Sequence, residues 1–75
     1  MNNLDEFVTL VRDEIGLPVS AGDVNLAFDR LPGWDSVLLL RLVTVLERET
    51  GRGISFPDVL QAPNLARIYD LAVAA

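Results

Sequence analysis

The chain has 75 residues, of which 51% are hydrophobic, and a net charge of -5 with six Arg, no Lys, no His and no Cys. One domain of this size builds a single core of marginal stability and has no room for a deep cleft. The missing residue types exclude a disulfide staple, a zinc site, a Cys nucleophile and a His base, and the acidity argues against nucleic-acid or anionic-membrane surfaces and for basic partners.

The charge is unevenly placed. Up to Ser36 there are seven acids, Asp5 to Asp35, against Arg12 and Arg30, whereas from Val37 onward four acids are matched by four Arg. No uncharged apolar run reaches the length of about 18 residues that a membrane span needs, and no charged start followed by an apolar run opens the chain. A soluble, cytoplasmic protein is the expectation, with residues 1–75 as one domain.

The first helix is expected to begin at Asn2 or Asn3. Asn3 is a good cap, Glu6 stands three residues on as in a capping box, and Asp5 and Glu6 suit the positive end of the helix dipole. Leu4, Phe7, Val8, Val11 and Ile15 recur at spacings of three and four and make one buried stripe. Gly16 and Pro18 end the helix.

Gly16 to Asp35 has neither the helical nor the strand period. Turn formers (Ser20, Gly22, Asp23, Asn25, Asp29, Pro32, Gly33) alternate with Val24, Leu26, Phe28, Leu31 and Trp34. A loop of this length is functional or packed down, and those apolar residues supply the packing. A short helical turn is expected near Val24 to Ala27.

The segment Ser36 to Thr50 then supports about four helical turns without a breaker. Leu39, Leu42, Val43, Leu46 and Thr50 form its core side; Val37, Arg41, Thr44 and Arg48 recur opposite, with Leu40 and Glu47 on one flank. That outer face mixes apolar and charged residues. It suits a partner-binding patch with an apolar centre and a charged rim, and from spacing alone it equally suits a solvated surface with stray apolar residues.

Gly51-Arg52-Gly53 ends the central helix, and Ile54 anchors the chain in the core. Ser55 to Gln61 reads as a short helix with Pro57 near its first position, where the missing N–H matters little. Pro63 breaks it. Asn64 caps a last helix in which Leu65, Ile68, Leu71 and Ala72 face inward and Tyr69 lies at the border. The fold class is all-α, a small four-helix bundle of three longer helices and one short one, with a long loop between the first and second.

Ser36 stands where the loop ends and the central helix begins, near free backbone N–H donors. A helix cap is the simplest use of such a serine. However, Asp35 can supply that cap, and the acid that a capping box centred on Ser36 would need is absent, because position 39 is Leu. That leaves a spare hydroxyl on an exposed helix start. No His or Lys exists to serve as its base, so a serine-hydrolase chemistry fails.

Asp35-Ser36-Val37 at the head of the second helix, after a long loop, resembles the Asp-Ser-Leu motif of the phosphopantetheine-dependent acyl and peptidyl carrier proteins. The resemblance runs through nearly the whole chain, and Ala62-Pro63-Asn64-Leu65 opens the last helix much as Pro-Thr-Leu does in many peptidyl carriers. It implies that a phosphopantetheinyl transferase moves 4'-phosphopantetheine from coenzyme A onto Ser36, and that the terminal thiol then holds an acyl or aminoacyl group as a thioester. By the same resemblance Asp35 presents the serine and Val37 replaces the motif Leu as an apolar contact. Leu40, Arg41, Thr44, Glu47 and Arg48 fall on the recognition helix.

Arg41 and Arg48 stand where fatty-acid-synthase carriers are often acidic. The resemblance is therefore closer to a discrete carrier of polyketide or nonribosomal peptide biosynthesis, without flanking linker sequence. The implied partners are the transferase, an acyltransferase or adenylating ligase that loads the arm, and a downstream synthase or transferase. No metal, nucleic acid or membrane is implied, and the carrier is expected to be a monomer and no enzyme. The alternative is a small helical interaction domain without a prosthetic group, in which Ser36 is only an N-cap. A DNA-binding helix-turn-helix fits less well, since Arg41 and Arg48 make too small a basic footprint.

Overall fold

The computed structural model describes residues 3–74, and every regular element among them is helical. Helix α1 spans Leu4–Leu10, and Asn3 caps it, its Oδ1 accepting the Glu6 N–H at 2.9 Å. Asn2, the other candidate start, lies outside the described residues. The helix continues through Val11–Ile15 as a wider turn, in which the Gly16 N–H donates to the Val11 carbonyl five residues back at 3.1 Å. Gly16 stops it at φ +83°, a left-handed conformation that glycine takes without strain. Phe7, Val8, Val11 and Ile15 are buried and Leu4 half-buried, so the stripe read from the sequence is the core face.

The long loop is packed rather than free. Leu17, Val19, Val24 and Leu31 are buried, and Phe28 and Trp34 are half-buried against the core. Its local turns differ from the expectation. Short 3-10 turns form at Ala21–Asp23 and Phe28–Arg30, on either side of the Val24 to Ala27 segment where one helical turn was expected. The reason is tertiary: the Val24 carbonyl accepts the Ala66 N–H at 2.9 Å and its side chain is buried, so this stretch docks the loop onto the last helix. Leu26 also departs from the expected packing, being 37% exposed.

Helix α2 spans Ser36–Thr50, with Asp35 as N-cap and Gly51 at φ +69° closing it. Leu39, Leu42, Val43 and Leu46 are buried as their spacing requires, and Thr50 is half-buried. Val45 is buried too. Helix α2 meets the end of the first helical segment and the last helix, and contact on two sides makes its apolar stripe wider than one spacing series suggests.

Ile54 anchors the connection that follows, as expected. Helix α3 spans Phe56–Gln61 with Pro57 as its second residue, and α4 spans Leu65–Ala74 with Asn64 Oδ1 accepting the Arg67 N–H at 3.0 Å. Leu65, Ile68 and Ala72 are buried, Leu71 is half-buried, and Tyr69 packs edge-on to Phe7 with ring centroids 5.4 Å apart. Four helices with α2 at the centre make the expected small bundle. No helix among the described residues is long and apolar enough to cross a membrane.

Candidate functional site

The N-terminus of α2 is built from the inside outward. Leu39 and Leu42 hold the first turns to the core, which turns positions 36, 37 and 40 to the outside. Asp35 is extended (φ -150°, ψ 172°), and its Oδ1 accepts the Val37 N–H at 2.9 Å and the Leu38 N–H at 3.1 Å. The carboxylate thus satisfies two of the helix's orphan donors and suits the positive end of its dipole. Ser36 is the first helical residue, exposed, its hydroxyl outside the cap.

Beside Ser36 runs the outer face of α2. Val37 is 67% exposed and Leu40 55%, and Arg41 and Thr44 are exposed beside them. The Thr44 hydroxyl donates to the Leu40 carbonyl at 3.1 Å. Two further residues of the expected recognition face are turned to neighbours in the chain. Glu47 is half-buried, and its Oε2 accepts the Ile54 N–H at 2.7 Å. Arg48 lies 3.6 Å from Glu14 across an exposed ion pair toward the first helical segment. Helix α2 thereby presents Val37, Leu40, Arg41 and Thr44 together, whereas Glu47 and Arg48 border them.

Two features escaped the sequence reading. Leu60 on α3 is 61% exposed, and the signal was the adjacent pair Val59-Leu60 in a six-residue helix, of which one side chain alone can point inward. Trp34 stacks on Phe28 just before the cap, with ring centroids 4.5 Å apart and planes 14° apart. Three of the seven early acids lie elsewhere: Glu6, Asp13 and Glu14, with Glu49, line a shallow groove between the first helical segment and the last turn of α2.

A family model described as "phosphopantetheine attachment site" matches residues 5–72. The chain belongs to this family. Its prosthetic group is 4'-phosphopantetheine, and its role is that of a phosphopantetheine carrier. Neither the curated proteins nor the solved structures gave a match to this carrier. The residues at the head of α2 fit the group, since they include an exposed hydroxyl uncommitted to the helix cap, the kind of group such an attachment requires.

Proposed function

We propose that Ser36 is the attachment residue, and that the protein carries acyl or aminoacyl groups between enzymes of polyketide or nonribosomal peptide biosynthesis. The observation that carries this reading is the division of labour at the start of α2: Asp35 caps the helix, and the Ser36 hydroxyl stays outside the cap on the surface. In the attachment step Ser36 Oγ forms a bond to the pantetheine-side phosphorus of coenzyme A while that phosphorus loses its bond to the bridging oxygen, which leaves with adenosine 3',5'-bisphosphate. The hydroxyl proton leaves to a base of the transferase, since the neighbouring Asp35 carboxylate is engaged in the helix cap. Once bound, the group supplies a long flexible arm and the thiol on which cargo rides as a thioester.

Asp35 keeps the helix start rigid, and Val37 and Leu40 offer an apolar centre to docked enzymes, with Arg41 and Thr44 at the rim. Such a contact is small and transient, which suits a shuttle. Tethering then keeps the cargo at high effective concentration for each docked enzyme. Arg41, exposed where fatty-acid carriers are often acidic, and the Pro63-Asn64-Leu65 start of α4 support the natural-product assignment. The reading takes residues 1–75 as a single carrier domain working as a monomer in the cytoplasm.

The test is an intact mass after incubation with coenzyme A and a broad-specificity phosphopantetheinyl transferase. One phosphopantetheine per chain, lost in Ser36→Ala, is the expected result; no addition, or addition that survives Ser36→Ala, overturns the reading. Offering the modified protein an acyltransferase with acyl-coenzyme A, or an adenylating ligase with amino acid and ATP, then separates acyl from aminoacyl cargo by mass.

A further inference from the structure

Two aromatic rings close the turn that leads into α2. Phe28 and Trp34 stack almost parallel, and between them the Leu31 N–H donates to the Phe28 carbonyl at 3.0 Å and the Trp34 N–H to the Leu31 carbonyl at 3.2 Å. Leu31 is buried, so the turn is pinned from below as well. Gly33 permits the sharp reversal at φ +79°.

Trp34 stands one residue before the cap. From that place an apolar side chain, paired with the fourth residue of the helix, sets the angle at which the chain enters. The fourth residue here is Leu39, which is buried in the core against which Trp34 packs. Ser36 is held by no cap bond of its own, so the placement of its hydroxyl depends on the backbone just before it. Asp35 caps that backbone, and one residue earlier Trp34 is packed against the core and stacked on Phe28.

We propose that Trp34 is a positioning residue for the modification of Ser36. Stacked on Phe28, it fixes the entry of the chain into α2 and so the direction in which the hydroxyl is offered to the transferase. The proposal rests on Ser36 being the attachment residue. Group transfer is sensitive to such placement, since misplacing an acceptor by about 1 Å can cost about 100-fold in rate. A ring that merely fills space would alter stability, and a ring that touches the transferase would alter KM. A positioning ring alters kcat.

The experiment measures initial rates of phosphopantetheine transfer against carrier concentration for the wild type, Trp34→Ala, Trp34→Phe and Phe28→Leu, each checked for helical content by circular dichroism. For Trp34→Ala and Phe28→Leu we expect kcat to fall about 10-fold with KM within about twofold. Trp34→Phe should recover most of kcat, because a ring still stacks on Phe28. A folded Trp34→Ala protein with wild-type kcat, a loss confined to KM, or a Trp34→Phe protein as slow as Trp34→Ala overturns the proposal. Phe28→Leu retains Trp34 and an apolar side chain, and gives the answer if Trp34→Ala does not fold. Absence of transfer to the wild type instead defeats the reading of Ser36, and is seen before any variant is compared.

Discussion

The Glu47 carboxylate accepts the Ile54 main-chain N–H at 2.7 Å, tying the last turns of α2 to the loop that leads into α3. Ile54 is itself buried, so the bond fixes the start of the segment that carries the exposed Leu60. A residue that the family resemblance places on the recognition helix therefore also has a structural task. Glu47→Ala should cost about 1 to 3 kcal/mol, because it strands a partly buried donor. Glu47→Gln, which keeps an acceptor, should cost less; urea unfolding of both variants checks this, and equal losses would refute it. Any loss of partner activity in Glu47→Ala has to be weighed against that destabilisation.

Asp35 and Ser36 should separate cleanly. Removing the cap with Asp35→Ala is expected to cost about 0.5 to 2 kcal/mol. Ser36→Ala should change stability by less than about 0.5 kcal/mol while abolishing phosphopantetheine addition. Thermal unfolding and intact mass on the same samples measure both effects. A Ser36→Ala loss as large as that of Asp35→Ala would mean that the serine is a cap after all.

The exposed apolar pair on α2 should matter to partners and not to folding. Leu40→Asp is expected to leave stability within about 0.5 kcal/mol and to weaken transfer by about 5-fold or more, the scale of one contact worth about 1 kcal/mol. Steady-state transfer kinetics beside a denaturation curve test it, and unchanged kinetics would move the docking site away from this face.

Arg48 and Glu14 form an ion pair with 61% and 48% of their side-chain surfaces exposed. Pairs this open contribute at most about 1 kcal/mol and are screened by salt. Arg48→Ala should therefore lower the unfolding free energy by less than that, with the difference shrinking further in high salt. A larger, salt-independent loss would show that the Arg48 stem packs into the bundle.

Gly33→Ala tests the turn before the cap. At φ +79° an added Cβ finds room, with Leu17 Cδ2 3.8 Å away, so the cost is backbone strain and not a clash. About 1 to 2 kcal/mol is expected from a non-glycine residue in the left-handed region. A stable Gly33→Ala protein in thermal unfolding would show that the turn relaxes to another conformation.

The parts of this protein that were legible in the sequence are governed by neighbours three or four residues apart. Asn3, Asp35 and Asn64 cap their helices, and Gly16 and Gly51 end theirs, through hydrogen bonds and dihedral angles that a short window already contains. The core stripes of α1, α2 and α4, and the exposed hydroxyl beside an aspartate that serves as the cap, follow from the same local periodicity. What only the tertiary structure decided depends on groups that no helical or strand period relates. The Val24 carbonyl meets the Ala66 N–H and moves the loop's helical turns away from Val24 to Ala27. Val45 is buried on a helix that meets others on two sides, and the fold brings Ile54 to Glu47. Phe28 closes onto Trp34 because a buried Leu31 folds the chain back between them. Such pairings follow no three- or four-residue spacing and leave no periodic mark, so they become readable once the helices have packed.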